Sequence, residues 1–545
     1  FFQSPFYPYF LAAFYKIFGH EPRGVLWVHA AADSLSCVLL MLSARRCFGP
    51  RAGIFAGLAA ALYRPFIFNA ALLTKETFAV LGSALVLFTG LRAAGGRTRD
   101  LFLCGLAAGW AVLSRSNMAL MIPALLLWLG FRRSEPGAPG GLRARGALAL
   151  AAGAALAVLP ATAHNFAASR DLVPVNYTGG FTFFLGNNPR ATGLATYPAG
   201  VNSDPLLEEA QSSRLAELGS GRALKPSEVS SFWFRKGLSS IAGDPLRWLG
   251  LSGLKFWLFW NRYEIPDNYD GGFIAGRFGT LLAWPLLSFA WVGCFGAVGL
   301  FLCRPREASG LPLALFLTYM ASILPFIISD RYRLPGAVLL IPAAAAALDR
   351  TLSALRERAP GRMARPLLYA SPLMALCLLP APLDLRSDEA AGWGQLAAVR
   401  AARGEFALSV EAFRRAEALS PGGVNEAAAD GAALSLWKLG RAEEALSLYE
   451  RWCRVYPGSP LLHNNRAALL FELGRTGEAV RALESSVMAD PDPGPQYRNL
   501  FYGCARLGWN GMAARYGEEA LSRFPDDAKL RRDVTELRRK ARGSR

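Results

Sequence analysis

The sequence predicts an all-α chain, a polytopic bundle of membrane-crossing helices followed by a helical solenoid. Three observations predict it. The 545 residues are 52% hydrophobic and only 18% charged, which is too apolar for a purely soluble protein. Ten apolar runs of crossing or near-crossing length lie between Val25 and Leu383. From Gly404 onward, a pattern of glycines, small residues and prolines returns every 34 to 36 residues.

The first set of runs is Val25–Ser43, Ala52–Leu73, Thr77–Ala93, Leu101–Leu113, Met118–Phe131 and Gly146–Ala163. The second is Phe278–Cys303, Leu311–Ile328, Pro335–Leu348 and Pro366–Leu383. Several are short enough for one pair to be a re-entrant hairpin. The expected organisation is an interfacial segment over 1–24, crossings over 25–163, a long loop over 164–277, further crossings over 278–385 and repeats over 394–540. Alternate connections hold seventeen arginines, among them Arg45, Arg92, Arg132, Arg133, Arg304, Arg306 and Arg350, whereas the opposite short turns hold four basic residues, Lys75, Arg115, Arg331 and Arg333. The richer side is cytoplasmic by the positive-inside rule. The same bias accounts for most of the formal charge of +18, so nucleic-acid binding is not needed to explain it. Loop 164–277 and the repeats then face outward. Phe1 also falls outside with no crossing before it, so an N-terminal piece with at least one crossing is expected upstream.

Phe1–Gly19 alternates aromatics and prolines ahead of a short amphipathic helix, as an interfacial aromatic belt does. Lys75-Glu76 places a base and an acid at an outer mouth between two crossings, and Arg115 is the only charge in its own outer turn. Ionisable groups there are costly unless solvated or functional. Asp330-Arg331-Tyr332-Arg333 is the third such cluster. It runs against the charge bias, and its guanidinium pair suits a phosphate; snorkelling to lipid headgroups is the alternative. In the long loop, Asn176–Pro198 is rich in Gly, Asn and aromatics, cannot satisfy its backbone in lipid, and is expected to roof a site at the membrane surface. Glu208–Ser240 reads as soluble helix with Ser227 as an N-cap, and Leu246–Trp260 as a helix lying in the interface. The eight cysteines and four histidines have no metal-site or disulfide spacing.

Gly404, Gly440, Gly474 and Gly508 are each followed 17 residues later by Pro421, Pro457, Pro491 and Pro525. Small residues stand five positions after each glycine, at Ser409, Ala445, Ala479 and Ala513. The pattern resembles tetratricopeptide repeats, about four of them, stacked as helix pairs with a groove that suits a protein partner or braces the remainder of the chain.

SPFYPYFLAAFYKIFG, the segment ARRCFGPRAGIFAGLAAALYRPFIFNAALLTKETF, TGGFTFFLGNNPRATG, KFWLFWNRYEIPD and SDRYRLP together resemble polytopic glycosyltransferases that use polyprenyl-phosphate sugars. These include the protein O-mannosyltransferases and the aminoarabinose transferases of lipid A; a bacterial subgroup carries C-terminal repeats. The resemblance implies the GT-C fold and transfer of a sugar from a polyprenyl-phosphate donor to a protein, lipid or glycan acceptor on the outer face of a bacterial inner membrane. An acceptor hydroxyl attacks the anomeric carbon while a carboxylate takes its proton, and arginines or a divalent metal ion stabilise the leaving lipid phosphate. The family's principal acid precedes the Pro-Tyr-Pro region, upstream of this chain, without which the chain is expected to be inactive. By resemblance Glu76 is the second acid, with Lys75 beside it. Arg331, Arg333 and Arg115 are the lipid-phosphate ligands by charge and location, and Tyr7, Asn187 and Asn188 are candidates to line the sugar or acceptor site. The asparagines serve equally well as turn formers.

An O-antigen ligase or polymerase would place a large Arg/His-rich loop between late helices, whereas the large loop here follows the sixth apolar run and is rich in neither. A non-enzymatic envelope scaffold would need no charged outer turns, and a transporter would carry its charges in mid-helix.

Overall fold

The computed structural model describes residues 1–131, 141–198, 200–201, 205–302, 310–383, 385–420, 424–489 and 494–543. Arg132, Arg133, Arg304, Arg306, Pro421 and Pro491 of the charge and repeat patterns lie outside the described residues. All regular structure described is helical, with a single isolated bridge between Tyr63 and Leu287. The chain divides into two units, Phe1–Pro198 with Ala216–Pro382, and Ala199–Leu215 with Leu383–Arg545.

The first unit opens with α1 (Phe6–Phe18), α2 (Pro22–Phe48), α3 (Pro50–Ala61), α4 (Arg64–Ala70), α5 (Glu76–Ala93), α6 (Thr98–Ser114), α7 (Met121–Phe131), α8 (Gly141–Ser169) and α9 (Gly179–Asn187). Next along the chain, α10 (Pro205–Ser220) belongs to the second unit as far as Leu215, and the first unit continues with α11 (Pro226–Gly243), α12 (Pro245–Trp260), α13 (Gly271–Phe278), α14 (Phe289–Leu302), α15 (Leu311–Ile323), α16 (Asp330–Arg356) and α17 (Ala364–Leu378). Among the described residues, four helices are long and apolar enough to cross a membrane: α2, α5, the Ala144–Ser169 part of α8, and α16. Shorter apolar helices cover Ser116–Phe131, Phe289–Leu300 and Leu311–Ile323. α16 is the axis of the unit, packing on α14, α3, α5, α2 and α15. Its residues Leu334–Ala347 are buried throughout.

Two expected crossings differ in outline. The run at 52–73 breaks between α3 and α4, because Pro65 at the start of α4 cannot continue the helix before it. The freed backbone is paired: Arg64 N donates to Leu287 O at 2.9 Å and Leu287 N to Leu62 O at 2.9 Å. The partner strip belongs to the run expected to start at Phe278, so helix begins there only at Phe289. The N-cap expected at Ser227 falls instead at Lys225, whose N–H donates to Glu228 Oε2 at 2.8 Å. Pro226 takes the first helical position. Ser227 is engaged elsewhere, its Oγ donating to Asp171 Oδ1 at 2.8 Å.

α12 lies where an interfacial helix was expected. Leu246 and Leu249 near its start are 79% and 59% exposed, while Leu258, Phe259 and Trp260 at its end are buried.

In the second unit, α18 (Leu385–Ala402) pairs with α19 (Phe406–Leu419), α20 (Glu426–Lys438) with α21 (Ala442–Val455), α22 (Pro460–Glu472) with α23 (Thr476–Ala489), and α24 (Gly494–Arg506) with α25 (Asn510–Arg523). α26 (Ala528–Gly543) follows. Gly404, Gly440, Gly474 and Gly508 stand between the helices of each pair at φ of 72° to 77°, a region that favours glycine. Ser409, Ala445, Ala479 and Ala513 are fully buried where the helices touch.

Candidate functional site

Three helix ends converge on one cluster of charges. Glu76 opens α5 and Lys75 precedes it. Arg115 ends α6 in extended conformation. Asp330 and Arg331 open α16, a turn longer than the expected crossing, so Arg331 lies at a helix N-terminus. A cation is disfavoured there by the helix dipole, and a carboxylate from another loop, Asp267, pairs with its Nε. Ser329, the residue before α16, donates its hydroxyl to the same carboxylate at 3.2 Å.

Arg115 joins the three ends. Its Nη2 donates to Glu76 Oε1 at 3.0 Å, with the side chains only 5% and 2% exposed. Its Nη1 donates to Arg331 O at 3.2 Å, and its guanidinium lies 4.2 Å from the centre of the Tyr332 ring. Tyr319 on α15 fixes that strand of contacts by donating to Tyr332 O at 2.8 Å. Glu76 Oε2 is buried without a hydrogen bond; Thr74 Oγ1 lies close to the carboxylate but closes no bond to it. Lys75 is half-buried beside Glu76, Arg115, Arg331 and Asp267. Burial pushes its ammonium down to about 8, with Glu76 opposing and the two arginines adding to the shift.

The remaining sequence candidates are placed differently. Arg333 is 3% exposed and donates to the carbonyls of Phe259, Asn261 and Tyr263 at the end of α12, stacking 3.9 Å over Phe289. Its donors hold a chain turn. Asn187 Nδ2 donates to Phe183 O and Pro325 O at 2.8 and 2.6 Å, and Asn188 Nδ2 to Thr196 O at 2.8 Å. Both asparagines therefore close the end of α9, in the manner of turn formers. Asn187 Oδ1 also accepts from Lys255 Nζ at 3.3 Å. Tyr7, on α1, is buried, its ring 5.7 Å from His29 and 6.1 Å from Phe78.

The glycine- and asparagine-rich loop does reach the cluster. Asn176 Nδ2 donates to Ser116 Oγ, next to Arg115, at 3.4 Å and to Ser4 Oγ at 3.3 Å. Further on, Gly193 O accepts from Ile328 N at 3.1 Å, two residues before Asp330. On its far side Asn176 borders a cavity of about 780 Å³ lined also by Tyr177, Arg222, Ser230 and Phe234.

Sequence reasoning passed over Asp267 and Tyr319, and gave Tyr332 no role within its cluster. The signal for Asp267 was the pair of acids around Pro266 in an otherwise aromatic stretch; Tyr319 carried none. Among the described residues no three of His, Cys, Asp and Glu converge to hold a metal ion.

Residues 3–164 match the model of a family described as dolichyl-phosphate-mannose-protein mannosyltransferase, and residues 436–501 match a tetratricopeptide-repeat model. Both agree with the resemblance drawn from the sequence. Two curated proteins of Arabidopsis thaliana are also similar: the inactive TPR repeat-containing thioredoxin TTL3, 36% identical over 97 residues, and the TPR repeat-containing thioredoxin TTL4, 34% identical over 97. Each alignment takes in 18% of this chain and 14% of the relative's length.

Proposed function

We propose that this chain is a membrane glycosyltransferase that moves a sugar from a polyprenyl-phosphate donor to an acceptor hydroxyl at the extracytoplasmic face. The match over residues 3–164 supports a membrane enzyme of mannosyltransferase kind. The observation that carries the site is the buried Arg115–Glu76 pair, tied through Arg331 to the start of α16.

The leaving group is a lipid phosphate that gains negative charge as the anomeric bond breaks. Arg331 and Lys75 supply donors fixed in place before reaction. Asp267 on Arg331 and Glu76 on Arg115 offset two of the three cations, and the Lys75 charge remains. The acceptor hydroxyl attacks the anomeric carbon, and its proton passes to a carboxylate. Glu76 suits that work: Arg115 occupies one oxygen and leaves Oε2 without a partner. Arg333, Asn187 and Asn188 act as positioning residues. The cavity beside Asn176 is the approach for the acceptor, and the repeats recruit a protein partner or acceptor.

The test is transfer by the full-length protein, with kcat and KM for the donor measured separately. Glu76→Gln is expected to lower kcat by roughly 10²–10⁴-fold with little change in KM. Arg331→Ala is expected to raise the donor KM. Unchanged transfer in both variants overturns the site.

A further inference from the structure

Two thiols that sugar transfer leaves unused meet between α14 and α17. Cys294 lies in the second turn of α14 and Cys377 is the last residue but one of α17. The two helices pack on each other. A Cβ added at Gly293 would come 3.0 Å from Cys377 Sγ, and the thiols of Cys294 and Cys377 hydrogen-bond to each other. Cys377 is 0% exposed, whereas Cys294 is half-buried. The two stand far apart in sequence, so no spacing announced them.

The second observation is what the end of α17 carries. Cys377 O accepts from Arg262 N at 2.8 Å, and the carbonyls of Leu376 and Leu379 accept from Asn261 Nδ2 at 3.2 and 2.7 Å. Trp257 Nε1 also donates to Leu376 O, at 3.0 Å. The turn after α12 therefore rests on α17. Arg333 of α16 grips the same turn at Phe259 O and Tyr263 O and stacks over Phe289, the first residue of α14. Farther along that segment, Asp267 pairs with Arg331. The thiols thus lie at the end of the helices where the charge cluster stands. Two cysteines can be bridged only where their backbones already come close, and the packing of α14 on α17 supplies this.

We propose that Cys294 and Cys377 form a disulfide between α14 and α17, cross-linking the helix end on which the Asp267 segment rests. This rests on the outward orientation proposed for the charge cluster, because the oxidising compartment lies on that face. The oxidant is a protein disulfide of the extracytoplasmic compartment. The Cys294 thiolate attacks one sulfur of that disulfide and releases the other as a thiolate. The Cys377 thiolate then attacks the Cys294 sulfur and displaces the second. The protons of the two cysteines pass to the released thiolates, so the pair loses two electrons and the oxidant becomes a dithiol. Cys377 is sealed in the folded protein, which assigns the exchange to folding, before α17 closes over it.

The experiment takes the full-length protein from cells directly into denaturant containing N-ethylmaleimide, and reads its peptides by mass spectrometry without reduction. A linked pair of peptides holding Cys294 and Cys377, lighter by the two hydrogens lost, is expected. Recovery of both cysteines as maleimide adducts overturns the proposal. Labelling of Ser231→Cys, exposed on α11, by an impermeant maleimide in intact cells then tells the two premises apart. If Ser231→Cys labels while both native thiols are free, the pairing alone falls; if it does not label, the outward orientation falls with it. The purified protein gives a second measurement. Cys294→Ala, Cys377→Ala and the double variant are expected to lower Tm by the same amount, because either substitution removes the one bond. Single losses that add in the double variant overturn the bond and leave only packing.

Discussion

Lys75 shows how one residue sets the working range of the site. In an unfolded chain its ammonium keeps its proton to about 10.5, and in the folded protein only to about 8. Below 8 both states are charged, and the burial cost is present in full. Between 8 and 10.5 the unfolded chain binds the extra proton, so this residue's contribution to stability rises with pH across that window. Function moves the other way. In the proposed site, loss of the Lys75 charge would remove one of the cations that meet the lipid phosphate, so the donor KM is expected to rise as pH passes through 8. Lys75→Arg keeps its charge throughout and is expected to flatten that rise, and KM measured from pH 7 to 9.5 decides it. Arg115 is of a different kind. Its loss strands the Glu76 carboxylate in the interior, a change that costs about 3–5 kcal/mol at buried pairs.

At the scale of the element, the site depends on helices that approach too closely for side chains. A Cβ on Gly180 would come 1.8 Å from Ser230 O, and one on Gly186 would come 2.3 Å from Phe326 O. These contacts press α9 onto α11 and onto the segment leading to α16. Gly180→Ala must push α9 off α11, and is expected to cost about 1–3 kcal/mol, read as a lower Tm in detergent. The sequence marked this loop as important from its glycines and asparagines, and the repeats were legible because their landmarks recur at a fixed period. The apolar runs announced helices, and Pro65 marked one break, yet the partner that pairs the freed backbone was hidden. Nothing near Leu62 says that Leu287 will pair with it, and nothing in the Asp330 turn says that Asp267 will hold Arg331. Such pairings join residues far apart in sequence, and periodicity carries no information about them. The site residues were legible in part for the same reason. Lone charges at apolar ends stood out, whereas Arg333 looked identical to Arg331 until its carbonyl partners were in view.

At the scale of the whole molecule, sidedness decides the proposed function, because a lipid-phosphate donor and its acceptor must meet on one face. The arginine-rich connections and the Lys75, Arg115 and Arg331 turns lie at opposite ends of α5 and α6, whose ends are given by Glu76 and Ala93, and by Thr98 and Ser114. One end of this pair carries Arg92, Arg97 and Arg99, and the other carries the charge cluster. By the positive-inside rule we propose that the first end faces the cytoplasm, and the cluster then the outside. Cysteine labelling of intact cells with a membrane-impermeant maleimide tests this directly. Described native cysteines are buried or half-buried, and the unaltered chain sets the background. Thr98, Ser231 and Ser485 are exposed and stand on the inner connection, the long loop and the repeats. Ser231→Cys and Ser485→Cys are expected to label in intact cells, and Thr98→Cys only after the membrane is opened. The reverse pattern would put the charge cluster in the cytoplasm and remove the outward-facing reaction, while labelling of Ser231→Cys without Ser485→Cys would separate the repeats from the face on which the sugar is transferred.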